Sequence, residues 1–107
     1  MFNDRHIRES VLDYWAGLVG EEPYRFVAIP TGGLAWAKAI AERTVNPWGT
    51  PEALPQGDAP IVVVDDVVTT GISLGIIPYE FALVVVSRGQ YPFPRVLSWA
   101  SFHLEDR

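Results

Sequence analysis

A cluster of carboxylates and hydroxyls follows the most apolar run of the chain. Asp65 and Asp66 come directly after four β-branched residues, Ile61–Val64, and the segment Thr69–Ser73 then supplies three hydroxyl side chains and a glycine. Two adjacent carboxylates beside valines are costly to bury unless a polar partner meets them. Vicinal ribose hydroxyls, or a magnesium ion that holds a sugar phosphate, would satisfy both carboxylates. A hydroxyl-rich turn that opens toward a helix start can hold a phosphate dianion through its backbone N–H groups.

A glycine turn lies earlier in the chain, between two predicted elements. Thr31, Gly32 and Gly33 follow the apolar segment Arg25–Ile29 and precede the alanine-rich segment Leu34–Arg43. This order predicts a strand, a tight turn and a helix, which is typical of an α/β fold. Taken alone, such a turn is more often a plain connection in which glycine supplies a positive φ.

The apolar segments around these residues predict an α/β fold with a parallel sheet. The run Ile61–Val64 is typical of a strand buried on both faces of such a sheet, and ligands bind at the carboxyl edge of open α/β sheets. The first helix is expected from Asn3, its cap, to Val19. The second helix is expected at Leu34–Arg43, further strands at Arg25–Ile29, Phe81–Ser87 and Arg95–His103, and a proline-rich loop at Asn46–Pro60.

Composition places residues 1–107 in one domain and argues against several functions. Cysteine is absent, which excludes disulfides and a thiolate nucleophile. The formal net charge is −5 and the basic residues are scattered singly, so no nucleic-acid partner is expected. The longest apolar runs, Ile61–Val64 and Phe81–Val86, are too short to cross a bilayer, and the amino terminus lacks the apolar run of a signal peptide. No membrane association is expected, and the expected location is cytoplasmic.

Two segments resemble motifs of the type I phosphoribosyltransferases. The run IVVVDDVVTTGIS, Ile61–Ser73, conforms at every position to that family's motif for 5-phosphoribosyl-1-pyrophosphate (PRPP). Thr69 stands where purine-specific relatives tend to carry an acid, so the resemblance is strongest to the orotate phosphoribosyltransferases. The stretch VAIPTGGLAWAKAIAE, Val27–Glu42, resembles the family's pyrophosphate loop. The resemblance implies a Rossmann-like parallel-sheet core with flanking helices.

The resemblance also implies roles for individual residues. Asp65 and Asp66 would be the catalytic carboxylates, which contact the ribose hydroxyls and, indirectly, the Mg²⁺ that accompanies PRPP as co-substrate. The reaction would displace pyrophosphate from the anomeric carbon by a nucleobase nitrogen, with a pyrimidine such as orotate as the base. The 5′-phosphate would be held by Thr69, Thr70, Gly71, Ile72 and Ser73, and pyrophosphate by Thr31, Gly32 and Gly33.

The sequence departs from the family at three places. The family's flexible catalytic loop often carries a lysine, whereas Asn46–Pro60 contains neither lysine nor arginine, so Lys38, Arg43, Arg88 or a neighbouring subunit would have to supply a cation. The segment Leu74–Glu80 contains Gly75 and Pro78 where the family has a full helix, which leaves one sheet face thinly covered and predicts a homodimer. The hood that grips the base is reduced to the first helix.

These departures keep a second function open beside phosphoribosyl transfer. The chain could be a non-catalytic module that binds PRPP or a nucleoside 5′-monophosphate after losing the catalytic loop. A purely structural role is disfavoured, because nothing structural requires Thr69, Thr70 and Ser73 together.

Overall fold

Two helices and a five-stranded sheet are formed by residues 5–68, 78–89 and 96–103, the part of the chain that the computed structural model describes. All four strand pairings are parallel, in the order β2-β1-β3-β4-β5, which confirms the predicted α/β class. The elements are α1 Arg5–Val19, β1 Arg25–Ala28, α2 Gly33–Thr44, β2 Trp48–Gly49, β3 Ile61–Val68, β4 Phe81–Gly89 and β5 Val96–His103.

Both helices end where the sequence changes backbone conformation. Gly20 follows α1 with a φ of 63°, and its N–H donates to the carbonyl of Ala16 (3.0 Å). At the end of α2, Val45 adopts the left-handed conformation and its N–H donates to the carbonyl of Ala41. The predicted helix spans agree with these ends to within one residue, whereas the proposed cap Asn3 lies outside the described residues.

One prediction about the strands is wrong. The segment Asn46–Pro60 was expected to lack regular structure, but Trp48 and Gly49 pair in parallel with Phe26 and Val27 of β1. An edge strand of two residues between prolines is too short to show a periodic pattern of apolar residues. Its pairing is set by the neighbouring strand. In addition, β3 continues to Val68, so Asp65 and Asp66 are strand residues and not part of a turn.

The main core lies between the two helices and one face of the sheet. Trp15 of α1 and Trp36 of α2 meet edge to face with ring centroids 5.5 Å apart. Neither α1 nor α2, the helices among the described residues, is long and apolar enough to cross a membrane. The core is completed by Val11, Leu12, Val19, Ala37, Ile40 and Ala41 of the helices and by Phe26, Ala28, Val62, Val64, Leu83 and Val85 of the sheet.

The opposite face of the sheet is also buried at its centre. Val63, Ala82 and Val84 are fully inaccessible to solvent, and Ile29 is 5% exposed. The expectation that this face is thinly covered is therefore wrong at the central strands β3 and β4. The side chains that these strands place on this face are buried within a single chain. The expectation rested on the segment Leu74–Glu80, and residues 74–77 of that segment lie outside the described residues. The homodimer stays a prediction, to be checked by light scattering.

Candidate active site

The turn between β1 and α2 is held by three backbone hydrogen bonds. The N–H of Ile29 donates to the carbonyl of Val64 on β3 (2.9 Å), which extends the β1–β3 pairing to the start of the turn. The N–H of Gly33 donates to the carbonyl of Ile29 (2.9 Å), and that of Leu34 donates to the carbonyl of Thr31 (3.2 Å). The peptide bond between Pro30 and Thr31 is cis. The three hydrogen bonds fix the turn at the carboxyl edge of the sheet.

Thr31 and Gly32 present their backbone to solvent at the amino end of α2. Both residues are exposed, and within the described ranges no protein acceptor binds their N–H groups. No side chain caps α2 at Gly32, and its first turn contains no acidic residue. Free N–H groups at a helix start carry partial positive charge, so this turn is suited to an anion.

Two glycines allow the turn to approach β3 closely. A Cβ atom on Gly32 would overlap the carboxylate of Asp66, and one on Gly33 would overlap the carbonyl oxygen of Val64. A larger residue at Gly33 would force the turn and the strand apart, and one at Gly32 would displace the Asp66 carboxylate. The requirement for glycine here comes from space, since neither residue has a positive φ.

The two carboxylates of β3 differ in their surroundings. Asp65 is 6% exposed and its Oδ1 accepts a hydrogen bond from the N–H of Asp66 (2.8 Å). Asp66 is half-buried beside Gly32, and its Oδ1 accepts from the N–H of Val67 (2.8 Å). The structure thus brings the predicted acidic pair and the predicted pyrophosphate turn into contact at the carboxyl edge of the sheet.

Burial raises the pKa of Asp65 to about 7. A side-chain interaction with Asp66 contributes to this rise, whereas the hydrogen bond from the Asp66 N–H acts in the opposite direction. A carboxyl group with a pKa near neutrality either donates or accepts a hydrogen bond at physiological pH. Perturbed acids of this kind are concentrated in binding and catalytic sites.

The acidic pair has the ligand chemistry of a hard divalent cation. Carboxylate oxygens suit Mg²⁺, which keeps most of its shell as water and substrate phosphate oxygens. No group of three or more histidine, aspartate or glutamate side chains is placed to hold a metal alone among the described residues. Two carboxylates leave the remaining positions of such an ion to water and phosphate oxygens, so Asp65 and Asp66 fit a Mg²⁺ that arrives with a phosphorylated ligand.

A cavity of about 460 Å³ adjoins the turn on its β2 side. Pro30 and Leu34 form one wall, and Thr50, Pro51 and Glu52 form the other. The second wall is a short turn in which the N–H of Thr50 donates to the carbonyl of Ala53 (3.3 Å) and the N–H of Ala53 donates back (3.0 Å). Glu52 was not predicted as a site residue, although it is an acid within a segment that was expected to carry a cation.

The cations proposed from the sequence have different positions. Arg43 lies near the carboxyl end of α2, where it forms ion pairs with Asp13 and with Glu9 (2.6 Å), and these carboxylates raise its pKa. With a rise of about 1.5 Å per residue, it lies roughly 15 Å along the helix from Gly33. Lys38 is exposed in the middle of α2. Arg88 belongs to β4, near its carboxyl end.

The predicted 5′-phosphate segment cannot be placed in this site. Its residues, Thr69, Thr70, Gly71, Ile72 and Ser73, lie outside the described residues, and β3 ends immediately before them at Val68.

Solved structures provide the comparison with known proteins. The chain is similar to orotate phosphoribosyltransferase from Aeropyrum pernix, with 30% identity, a TM-score of 0.72, and coverage of 94% of this chain and 74% of that one. A hypoxanthine-guanine phosphoribosyltransferase from Bacillus anthracis has 10% identity and a TM-score of 0.59, over 91% of this chain and 76% of that one. The Helicobacter pylori xanthine-guanine-hypoxanthine enzyme has 15% identity and a TM-score of 0.53, over 91% and 84%. The last two show the fold alone.

Comparisons of the sequence by itself give no such match. Neither a family model nor a curated protein matches the chain.

Proposed function

Because this chain belongs to the type I phosphoribosyltransferase family, we propose that it binds PRPP with Mg²⁺ and transfers the phosphoribosyl group to a nucleobase. Pyrophosphate is the leaving group. The proposed base is a pyrimidine such as orotate. Two observations support this base: Thr69 in the PRPP motif, and the 30% identity to an orotate phosphoribosyltransferase.

The contact between Gly32 and the Asp66 carboxylate carries the proposal. It joins a turn with two free N–H groups to an acidic pair at one edge of the sheet. PRPP has the matching chemistry, since its diphosphate accepts hydrogen bonds and its ribose offers vicinal hydroxyls a short distance away. A plain strand-to-helix connection would not require a carboxylate to be packed against an exposed glycine.

The residues of the site act by positioning and electrostatics. The N–H groups of Thr31 and Gly32 donate to the diphosphate, whose charge increases as the anomeric bond breaks. Asp65 and Asp66 accept from the ribose hydroxyls, and this fixes the sugar for attack in line with the leaving group. Mg²⁺ bound with PRPP supplies positive charge that offsets the charge developing on the leaving diphosphate.

A base panel tests this function directly. The protein is incubated with PRPP, Mg²⁺ and, in turn, orotate, uracil, hypoxanthine, guanine and xanthine, and the release of pyrophosphate is measured. We expect release with a pyrimidine and none without a base. No release with any base would contradict the transferase function.

One observation favours a second candidate, a binding module without catalysis. The segment after β2 contains neither lysine nor arginine, and Arg43 is already paired with Glu9 and Asp13. Calorimetry separates the two functions, because a binding module takes up Mg²⁺ and PRPP without turnover. Failure to bind PRPP or any nucleoside monophosphate would exclude the module as well.

A further inference from the structure

The two edges of the sheet differ in how readily they could accept another strand. At one edge, β2 has two residues, lies between Pro47 and Pro51, and is followed by the turn Thr50–Ala53. Short strands and prolines protect a sheet edge from further pairing. At the other edge, β5 runs for 8 residues, Val96–His103, and contains no proline, lysine, arginine, aspartate or glutamate. The β5 edge therefore lacks the protection that the β2 edge has.

Within the described part of the chain, β5 pairs on one side only. It pairs in parallel with β4, from Val96 opposite Ala82 to His103 opposite Gly89. No described strand lies beyond it in the order β2-β1-β3-β4-β5. The outer side of an edge strand presents a row of backbone N–H and C=O groups. A row of this length is a template for a strand from another chain.

An aromatic side chain is exposed in the middle of β5. Trp99 is 38% exposed. Because side chains alternate along a strand, Trp99 lies on the same face as Leu97, which packs against the main core. The helix α2 contacts β1, β2 and β3, so Trp99 lies at the rim of this face. A strand added to β5 would cover the indole and give it a cross-strand neighbour.

The charges beside β5 favour an antiparallel partner of the same sequence. Arg95 directly precedes the strand, whereas Glu105 and Asp106 follow it within three residues and outnumber the one arginine there. When two copies of β5 pair in opposite directions, the start of each strand lies next to the end of the other, so opposite charges meet. Parallel self-pairing would instead align like charges. A two-fold pairing of this kind closes on itself and gives a dimer.

We propose that the outer edge of β5 pairs in antiparallel direction with β5 of a second copy and joins the two five-stranded sheets into one. The sheet face that was first expected to be covered by a partner is already buried at its centre, which leaves the predicted homodimer to an edge of the sheet. Because β4 separates β5 from β3, the pairing lies two strands away from Asp66 and the candidate site. Ligand binding by each protomer should not depend on it.

Light scattering over a range of protein concentrations tests the pairing. Wild-type protein is expected to be dimeric at about 100 µM and to dissociate on dilution. Trp99 lies near the middle of β5, so antiparallel self-pairing brings the two copies of this residue close together. Trp99→Lys should therefore raise the dissociation constant of the dimer at least about tenfold, because it removes an aromatic contact and places two like charges near each other.

Trp48→Lys is the matched control. Trp48 is 37% exposed and belongs to β2, at the opposite edge of the sheet. This variant should dimerise like wild type, and circular dichroism should show that both variants are folded. A monomeric wild-type protein at the highest concentration, equal dimerisation of the two variants, or an open series of larger oligomers would overturn the proposal.

Hydrogen exchange of the wild-type chain gives a second measurement that needs no substitution. Amides of β5 are expected to exchange more slowly at high than at low protein concentration, whereas those of β2 should not change. This result decides the question if Trp99→Lys does not fold. Protection of β5 that is the same at all concentrations would mean that its outer edge is covered within one chain, and the proposal would be wrong.

Discussion

The turns after β1 and after β2 face each other across one cavity, yet they offer opposite chemistry. Pro30–Gly33 exposes the N–H groups of Thr31 and Gly32 and contains no charged side chain. Thr50–Ala53 uses the N–H groups of Thr50 and Ala53 in its own closure and presents a carboxylate. Because the strands are parallel, both turns lie at the carboxyl edge of the sheet. The turn after β1 suits an anion because its backbone N–H groups are not used within the turn.

Gly33→Ala should have the largest effect, because the added Cβ meets the backbone carbonyl of Val64, which cannot rotate away. We expect the free energy of unfolding to fall by about 3 kcal/mol or more, as for overpacking at a rigid site. Denaturant titration measures it. Gly17→Ala is the control, since a Cβ there has nothing within 4 Å and sits in a helix. The free energy of unfolding of Gly17→Ala should rise by up to about 1 kcal/mol. Equal losses of stability in the two variants would contradict the close packing of the turn against β3.

Gly32→Ala should act mainly on binding. Its Cβ overlaps the side chain of Asp66, which can move, so the loss of stability should stay below that of Gly33→Ala. Moving that carboxylate separates the acidic pair from the N–H groups of the turn. We expect affinity for Mg²⁺–pyrophosphate to fall by roughly a hundredfold, about 2.7 kcal/mol. Unchanged affinity in calorimetry would show that the turn after β1 is not the anion site.

Asp65→Asn should change how stability depends on pH. The folded-state pKa of about 7 exceeds the unfolded value of about 3.9, so the native state binds more protons between these pH values. The free energy of unfolding of the ligand-free protein should therefore decrease as pH rises from about 4 to about 7, and stay level above that. The variant should lack this decrease and be more stable by about 1–2 kcal/mol at pH 8. Thermal melts across this pH range measure the difference. Identical dependence of stability on pH in the two proteins would contradict the effect of burial on the pKa of Asp65.

Arg43→Gln should have the smallest effect. Its partners Glu9 and Asp13 are largely exposed, and surface ion pairs contribute below about 1 kcal/mol. The loss of stability should disappear in 1 M salt, and affinity for Mg²⁺–pyrophosphate should not change. A clear loss of that affinity would mean that Arg43 reaches the site despite its position near the carboxyl end of α2.

Strands and helices with a continuous apolar pattern could be predicted from the sequence. Ile61–Val64 and Phe81–Ser87 were predicted as strands because buried parallel strands are rich in β-branched residues, and α2 followed from its alanine-rich run after the glycines. By contrast, β2 could not be predicted. Its pairing with Phe26 and Val27 depends on a strand more than twenty residues earlier.

The candidate site was predictable in its residue types but not in its contacts. The acidic pair and the glycine turn carry recognisable motifs, and both lie at the expected sheet edge. The fit of Gly32 against Asp66 depends on the register between β1 and β3, which no local pattern reveals. Likewise, Glu52 acquires its position only because β2 adds to the edge of the sheet beside Pro30.

The most direct measurement is a calorimetric titration of the intact chain with PRPP, pyrophosphate and ribose 5-phosphate, each in the presence of Mg²⁺. If one sheet edge holds both the diphosphate and the ribose, PRPP should bind at least tenfold more tightly than either fragment, because the second contact becomes intramolecular. PRPP that binds no more tightly than pyrophosphate, or does not bind, would contradict a combined site at Gly32 and Asp66.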